Sequence, residues 1–200
     1  MVNPSDLEKN KQRFIDLMRS VPRNGVEELL DFLETKTDFY TAPASTKFHN
    51  NCDGGLLAHT LNVYENFKKL LAMRNIEMAE ESVVVTSLLH DLCKCNFYVK
   101  DLRNRKNPDG KWEQYTVWTQ TKNVAVLLPH SSRSIRIIRS YLPLKFLEEL
   151  CIFYHMGPFG GEDYEYRNML QQVNTKHPET LLFYTADLMS SYLDEVTYDL

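Results

Sequence analysis

His59, the adjacent pair His90 and Asp91, and Asp187 are the residues best placed to do chemistry, because each lies in a strongly apolar stretch. His90 and Asp91 follow Val83-Val84-Val85 and Leu88-Leu89, a run apolar on nearly every side that reads as a buried helix. A carboxylate there cannot stay ionised alone, since its desolvation costs several kcal/mol unless a cation or hydrogen bonds compensate. Asp187, inside Leu-Leu-Phe-Tyr-Thr-Ala-Asp-Leu-Met, makes the same demand with no basic residue near it in sequence. A divalent cation meets both demands, because imidazole and carboxylate supply N and O ligands together. Each group alone has a plainer account: a buried His-Asp pair is often structural hydrogen bonding, and a single inward histidine is often a satisfied core residue. Their joint occurrence in three separate apolar segments is better explained by one metal held by His59, His90, Asp91 and Asp187.

Helices must position these side chains. The spacing predicts a first helix from Ser5, as N-cap, to about Arg19, and a second from Val26 to Lys36. Gly54-Gly55 implies a tight turn or close backbone packing before a helix from Leu56 to about Met73. On that helix His59, Val63, Phe67 and Leu70 face the core, and Asn62, Glu65, Lys68 and Lys69 take the wet side. Glu80 to Lys94 forms the helix of the His-Asp pair, with Lys94 one turn after His90 on the same face. Asn107-Pro108-Asp109-Gly110 is a turn signal flanked by strand-favouring residues, so a small β-hairpin is expected near residues 97–118. Helices follow from Pro129-His130, from Leu144 to His155, from about Tyr166 to Val173, and from Pro178. The last carries a stripe of Leu182, Ala186, Met189 and Leu193. The expected architecture is all-α: about eight helices with one inserted hairpin, in a single domain over residues 1–200.

Composition sets the bounds. Two hundred residues, 43% hydrophobic and 25% charged, suit an ordinary globular domain. No run reaches the roughly 18 apolar residues of a membrane helix, the N-terminus does not read as a signal peptide, and Cys52, Cys93, Cys95 and Cys151 have no zinc-type spacing. A cytoplasmic protein with reduced thiols is expected. The net charge of −4 conceals a basic segment, residues 100–145, with ten Lys and Arg against three acids. One face that receives anions is one reading of it and a solvated basic surface the other, as for the Arg133, Arg136, Arg139 stripe. The acidic remainder argues against tight duplex binding.

The order His … His-Asp … Asp resembles the HD-domain metal-dependent phosphohydrolase superfamily over about residues 46–195, with 1–45 as N-terminal helices. Gly-Gly-Leu-Leu-Ala-His-Thr is similar to its GGLLEHT string and His-Asp-Leu-Cys-Lys to its HDIGK string. His130 and Tyr-His-Met-Gly around His155 match two further histidines of binuclear members. The chain departs at Cys93, where the family has Gly, and at Pro129-His130-Ser131-Ser132, where it has a Gly-His-Gly-Glu-like string. The resemblance implies an HD-fold helical bundle and a divalent ion (Mn, Fe, Co, Ni, Mg or Zn), with Asp91 as ligand or bridge. It also implies metal-activated water attacking a phosphate ester of a nucleotide or short oligonucleotide. Lys94, with Arg103 or Lys106, would neutralise phosphate oxygens, and His49 would protonate the leaving oxygen. His130 and His155 would hold a weak second metal or hydrogen-bond the phosphate. On the hairpin, Arg103, Arg105 and Lys106 would face the anion, and Trp112 and Tyr115 would stack on a base. The alternative is a catalytically weak HD-fold module that binds or senses a nucleotide. Oligomeric state is left open.

Overall fold

The computed structural model describes residues 1–121 and 128–195. Lys122, one of the ten basic residues of the middle segment, lies outside them. Among the described residues the chain forms eight α-helices and one two-stranded antiparallel hairpin. In order these are α1 (Leu7–Arg19), α2 (Val26–Lys36), α3 (Gly55–Arg74), α4 (Glu80–Leu89), β1 (Tyr98–Lys106), β2 (Trp112–Gln120), α5 (His130–Arg139), α6 (Phe146–Tyr154), α7 (Tyr164–Lys176) and α8 (Pro178–Met189). None of these helices is long and apolar enough to cross a membrane.

One buried cluster runs through the bundle from Phe14 and Met18 of α1, through Leu57, Leu61 and Phe67 of α3 and Val84 and Leu88 of α4, to Ile152 and Phe183. Helix α3 lies at its centre, packed on α1, α4 and α8. Its start is fixed by the glycine pair. Gly54 has φ +75°, and a Cβ on Gly55 would lie 2.0 Å from the Asn50 carbonyl oxygen, so only glycine lets the incoming loop pass this close. Arg23 ties α4 to α6 from outside the core, with its guanidinium 3.0 Å from Glu81 and 2.5 Å from the buried Glu148.

Several local expectations shift. Helix α1 begins at Leu7 after Asp6, while the Ser5 hydroxyl bonds Asn3 at 2.9 Å. Helix α4 does not continue to Lys94. It ends at Leu89, and a 3₁₀ turn, Leu92–Lys94, follows. Helix α7 is longer than expected because Asp163 caps it, accepting from the Tyr166 N–H at 2.6 Å. Beyond Met189 the backbone widens into one π turn, Ser190–Asp194. That extra residue per turn rotates Leu193 outward, 70% exposed, so it leaves the expected core stripe. The hairpin pairs Arg103 with Tyr115 and Lys106 with Trp112, and its tight end is closed by Gly110 N–H to Asn107 O at 2.9 Å.

Candidate metal centre

The helix break after Leu89 builds the site. His90 keeps helical angles, but Asp91 has φ −107° and ψ 18°, so the carboxylate leaves the helix end and points into the bundle. Its Oδ2 lies 3.4 Å from His90 Nε2, 3.7 Å from His59 Nε2 and 2.7 Å from Lys94 Nζ. Its Oδ1 lies 2.7 Å from His130 Nε2 and 3.6 Å from His155 Nε2. Helix α3 contributes His59, α5 its first residue His130, and α6 the residue just past its end, His155. Asp187 on α8 completes the group, with Oδ1 3.2 Å from His59 Nε2. Lys94 therefore pairs with Asp91 across the 3₁₀ turn, rather than lying one α-turn beyond His90.

Each inward ring is held from behind. His90 Nδ1 faces the Ser87 carbonyl at 2.9 Å, His155 Nδ1 the Ile152 carbonyl at 2.7 Å, and His59 Nδ1 the Glu195 carboxylate at 3.0 Å. An acceptor opposite Nδ1 draws the proton there and leaves the Nε2 lone pair facing Asp91. Glu195 and its partner Asn62 escaped the sequence reading. Asn62 was expected on the wet side of α3, yet it is 2% exposed and donates to Glu195 at 3.0 Å while accepting from the Val2 N–H at 2.7 Å. The π turn carries Glu195 back over α3 and seals that face. The signal was the spacing: Asn62 and Asn66 lie three and seven residues after His59, the side of the helix that continues its stripe. Asn66 likewise bonds Ser190 and Asp194 of the turn at 3.0 and 2.7 Å.

Electrostatics favours a cation here. Burial opposes charge on His59, but Glu195 and Asp187 outweigh it and lift the ring to about 10. Burial likewise opposes ionisation of Asp91 and Asp187, and their cationic and imidazole neighbours override it and hold both below the usual carboxylate range. Asp91, Asp187 and Glu195 set three carboxylates against one ammonium, Lys94. With His59 neutral, as a metal ligand must be, the local excess is two negative charges, matched by one divalent ion. Buried Nε2 atoms of His59 and His90 have no hydrogen-bond partner of good geometry, and such atoms require one. A metal at His59 Nε2 takes the place of a proton there. The His, Asp and Cys side chains of this cluster could hold a metal ion, and their arrangement is compatible with an HD-type site. Comparison with family models, curated proteins and solved structures gives no match.

A cavity of about 680 Å³ opens above the cluster. Asp91, Lys94, His130, His155 and Asp187 line it, with His49 beside them. Phe48, Phe159 and Tyr192, 77%, 76% and 68% exposed, are also among its lining residues. Burial opposes charge on Lys94, but Asp91 outweighs it and keeps the ammonium charged. For His49, burial, reinforced by His59 and Lys94, pulls the ring down to about 3. A neutral imidazole offers a hydrogen bond more readily than the proton transfer expected of it. Burial, with Asp91 adding to it, pushes the Cys93 thiol up to about 11, so it is a neutral thiol beside His130.

The hairpin residues are placed elsewhere. Arg105 bonds Glu113 at 2.6 Å and lies over the Tyr115 ring, Lys106 lies over Trp112, and Arg103 is 3.8 Å from Asp101. None of Arg103, Arg105, Lys106, Trp112 and Tyr115 is among the cavity's lining residues. Arg103 and Tyr115 do line a separate groove, which shares Lys47 with the cavity.

Proposed function

We propose that this chain is a metal-dependent phosphohydrolase of the HD-domain type, cleaving a phosphate ester of a nucleotide or short oligonucleotide. The observation that carries the reading is the setting of Asp91: one buried carboxylate meets four imidazole Nε2 atoms and one ammonium within 3.7 Å, beside an open cavity. Structural hydrogen bonding needs no such convergence, and it would not leave buried ring nitrogens without partners. His59, His90, Asp91 and Asp187 would hold a divalent ion, with His130 and His155 on the other side of Asp91. When bound, such an ion supplies Lewis acidity, acidifying water and neutralising phosphate oxygens.

The protein's own groups do the rest. Lys94 keeps its charge at the cavity wall and meets a phosphate oxygen there, while its bond to Asp91 fixes its direction. Glu195, Ser87 and Ile152 hold the rings so that no reorganisation is needed when substrate arrives. Phe48, Phe159 and Tyr192 offer stacking faces to a base, a contact worth about 1–3 kcal/mol in single-strand binders.

The test is metal analysis of the purified chain, followed by a phosphate-release and strand-cleavage screen. The screen covers nucleoside mono-, di- and triphosphates and short oligonucleotides with each candidate metal. Turnover that disappears in Asp91→Ala supports the reading. A folded, metallated chain that cleaves none of them ends it. If nucleotides then raise its melting temperature without being cleaved, the sensing module is the better description.

A further inference from the structure

We propose that Tyr98 is a catalytic residue of this site, the group whose phenol gives its proton to the oxygen that leaves phosphorus. This role rests on the phosphohydrolase reading, in which burial keeps His49 neutral. A neutral imidazole gives up its N–H far less readily than a phenol gives up its O–H, so the leaving oxygen lacks a donor there.

The chain just past the metal cluster is built to bring Tyr98 back beside Lys94. Cys95 at φ −61° and ψ 134°, followed by Asn96 at φ +55°, has the angles of a type II turn, closed by the Phe97 N–H donating to the Lys94 carbonyl at 3.3 Å. Asn96 is pinned in that turn, its N–H donating to Asp38 at 2.6 Å and its side-chain amide to the Lys36 carbonyl at 2.9 Å. Phe97 is buried under the Arg133 guanidinium, 4.7 Å from its ring centre. Its carbonyl accepts from the Thr121 N–H at 2.9 Å, which closes the root of the hairpin. Tyr98, the first residue of β1 and paired with Gln120, then lies on the cavity wall with Lys94. Among the described residues its hydroxyl has no hydrogen-bond partner.

Three tyrosines line the cavity, and their surroundings separate them. Tyr192 is 68% exposed at the rim. Burial, with Asp187 adding to it, opposes loss of the Tyr184 proton. Burial opposes it at Tyr98 too, but there Lys94 acts the other way and stabilises a phenolate. After Asp91, Tyr98 is the neighbour that most favours the Lys94 ammonium.

The step balances as follows. Water attacks phosphorus, and the bond from phosphorus to the leaving oxygen breaks with its electron pair on that oxygen. The Tyr98 proton passes to it and the alcohol departs, while the phenolate stays beside Lys94. The attacking water releases a proton to solvent, and the phenolate takes one back.

The test compares the full chain, loaded with a metal that supports cleavage, with Tyr98→Phe, which keeps the ring and loses only the hydroxyl. Two pairs of probes cover monoesters and diesters. The first is thymidine 5′-monophosphate with p-nitrophenyl phosphate, and the second a thymidine dinucleotide with the p-nitrophenyl ester of thymidine 5′-monophosphate. A sugar alkoxide needs a proton to leave, whereas p-nitrophenolate leaves as a stable anion. Tyr98→Phe therefore lowers kcat about 10²- to 10⁴-fold for the nucleotide of a pair and leaves its p-nitrophenyl partner within about threefold. Metal content and melting temperature stay at their wild-type values. Equal losses for both partners, no loss for either, or loss of the metal each overturns the assignment. So does cleavage confined to phosphoanhydrides, or the selective loss appearing in His49→Gln instead. In each of these cases the wild-type chain still cleaves a phosphate compound, so the proposed function stands. A wild-type chain that cleaves none of the probes or nucleotides ends both.

Discussion

At the centre of the bundle, His59, His90 and His155 each have Nδ1 held by an acceptor, and Nε2 is left for something else. On the hairpin, Arg105 and Glu113 bond across the strands with side chains 62% and 40% exposed, and Lys106 covers Trp112. Both regions gather charge and aromatic rings, but only one leaves demands unmet. An exposed pair is worth about 0–1 kcal/mol whether made or broken. A buried carboxylate without compensation costs several kcal/mol, so its neighbours are dictated by it. Conspicuous cations are therefore a weaker guide to a site than buried groups with too few partners.

The comparison breaks first at Asp91. Asp91→Ala removes the group whose two oxygens face the two sides of the cluster, and it should abolish tight metal binding and all turnover. Metal content after desalting and phosphate release check this. Retention of both would mean that Asp91 is not a ligand of the metal. Lys94→Ala should keep the metal and lower turnover by a factor on the order of 10² to 10³, the loss seen when one charge-stabilising donor is removed. Unchanged turnover at saturating substrate would make Lys94 only a counter-ion to Asp91. Glu195→Gln should weaken metal affinity about 10- to 100-fold, as when a carboxylate behind a ligating histidine is lost. Competition with a chromophoric chelator reads it. Wild-type affinity would show that the Ser87- and Ile152-held rings are enough.

The last of these residues also marks where the sequence ran out. His59, His90, Asp91 and Asp187 were visible as candidates because apolar neighbours make a polar residue conspicuous, and the structure brings them together. Glu195 has no such setting. It lies beyond the last α-helix, where a π turn brings it against His59 and Asn62. Burial of that kind depends on which surface the chain end covers, and no local periodicity encodes it. Eight helices and a hairpin were legible, as was the glycine turn at Gly54-Gly55, since each follows from spacing or backbone freedom within a few residues. The direction of the hairpin was not, because a strand pair is specified by its own turn and cross-strand contacts, and these say nothing of what it leans towards.

The smallest expected effect is on that hairpin. Replacing Arg103, Arg105 and Lys106 together by Ala removes three exposed cations and two exposed pairs, with Asp101 and Glu113. For a mononucleotide, KM should stay within about twofold, because none of the three lines the cavity and exposed pairs are worth little. A short oligonucleotide is different. Lys47 belongs both to the cavity and to the groove flanked by Arg103 and Tyr115, so a strand whose end reaches Asp91 can lay its next phosphates along that groove. Its KM should rise several-fold in the triple variant, and the rise should shrink as salt screens the phosphate contacts. Kinetics of a mononucleotide and an oligonucleotide at low and high salt separate the outcomes. Equal KM changes for both would place the hairpin at the cavity itself, against its observed position. No change for either would leave its basic face a solvated surface.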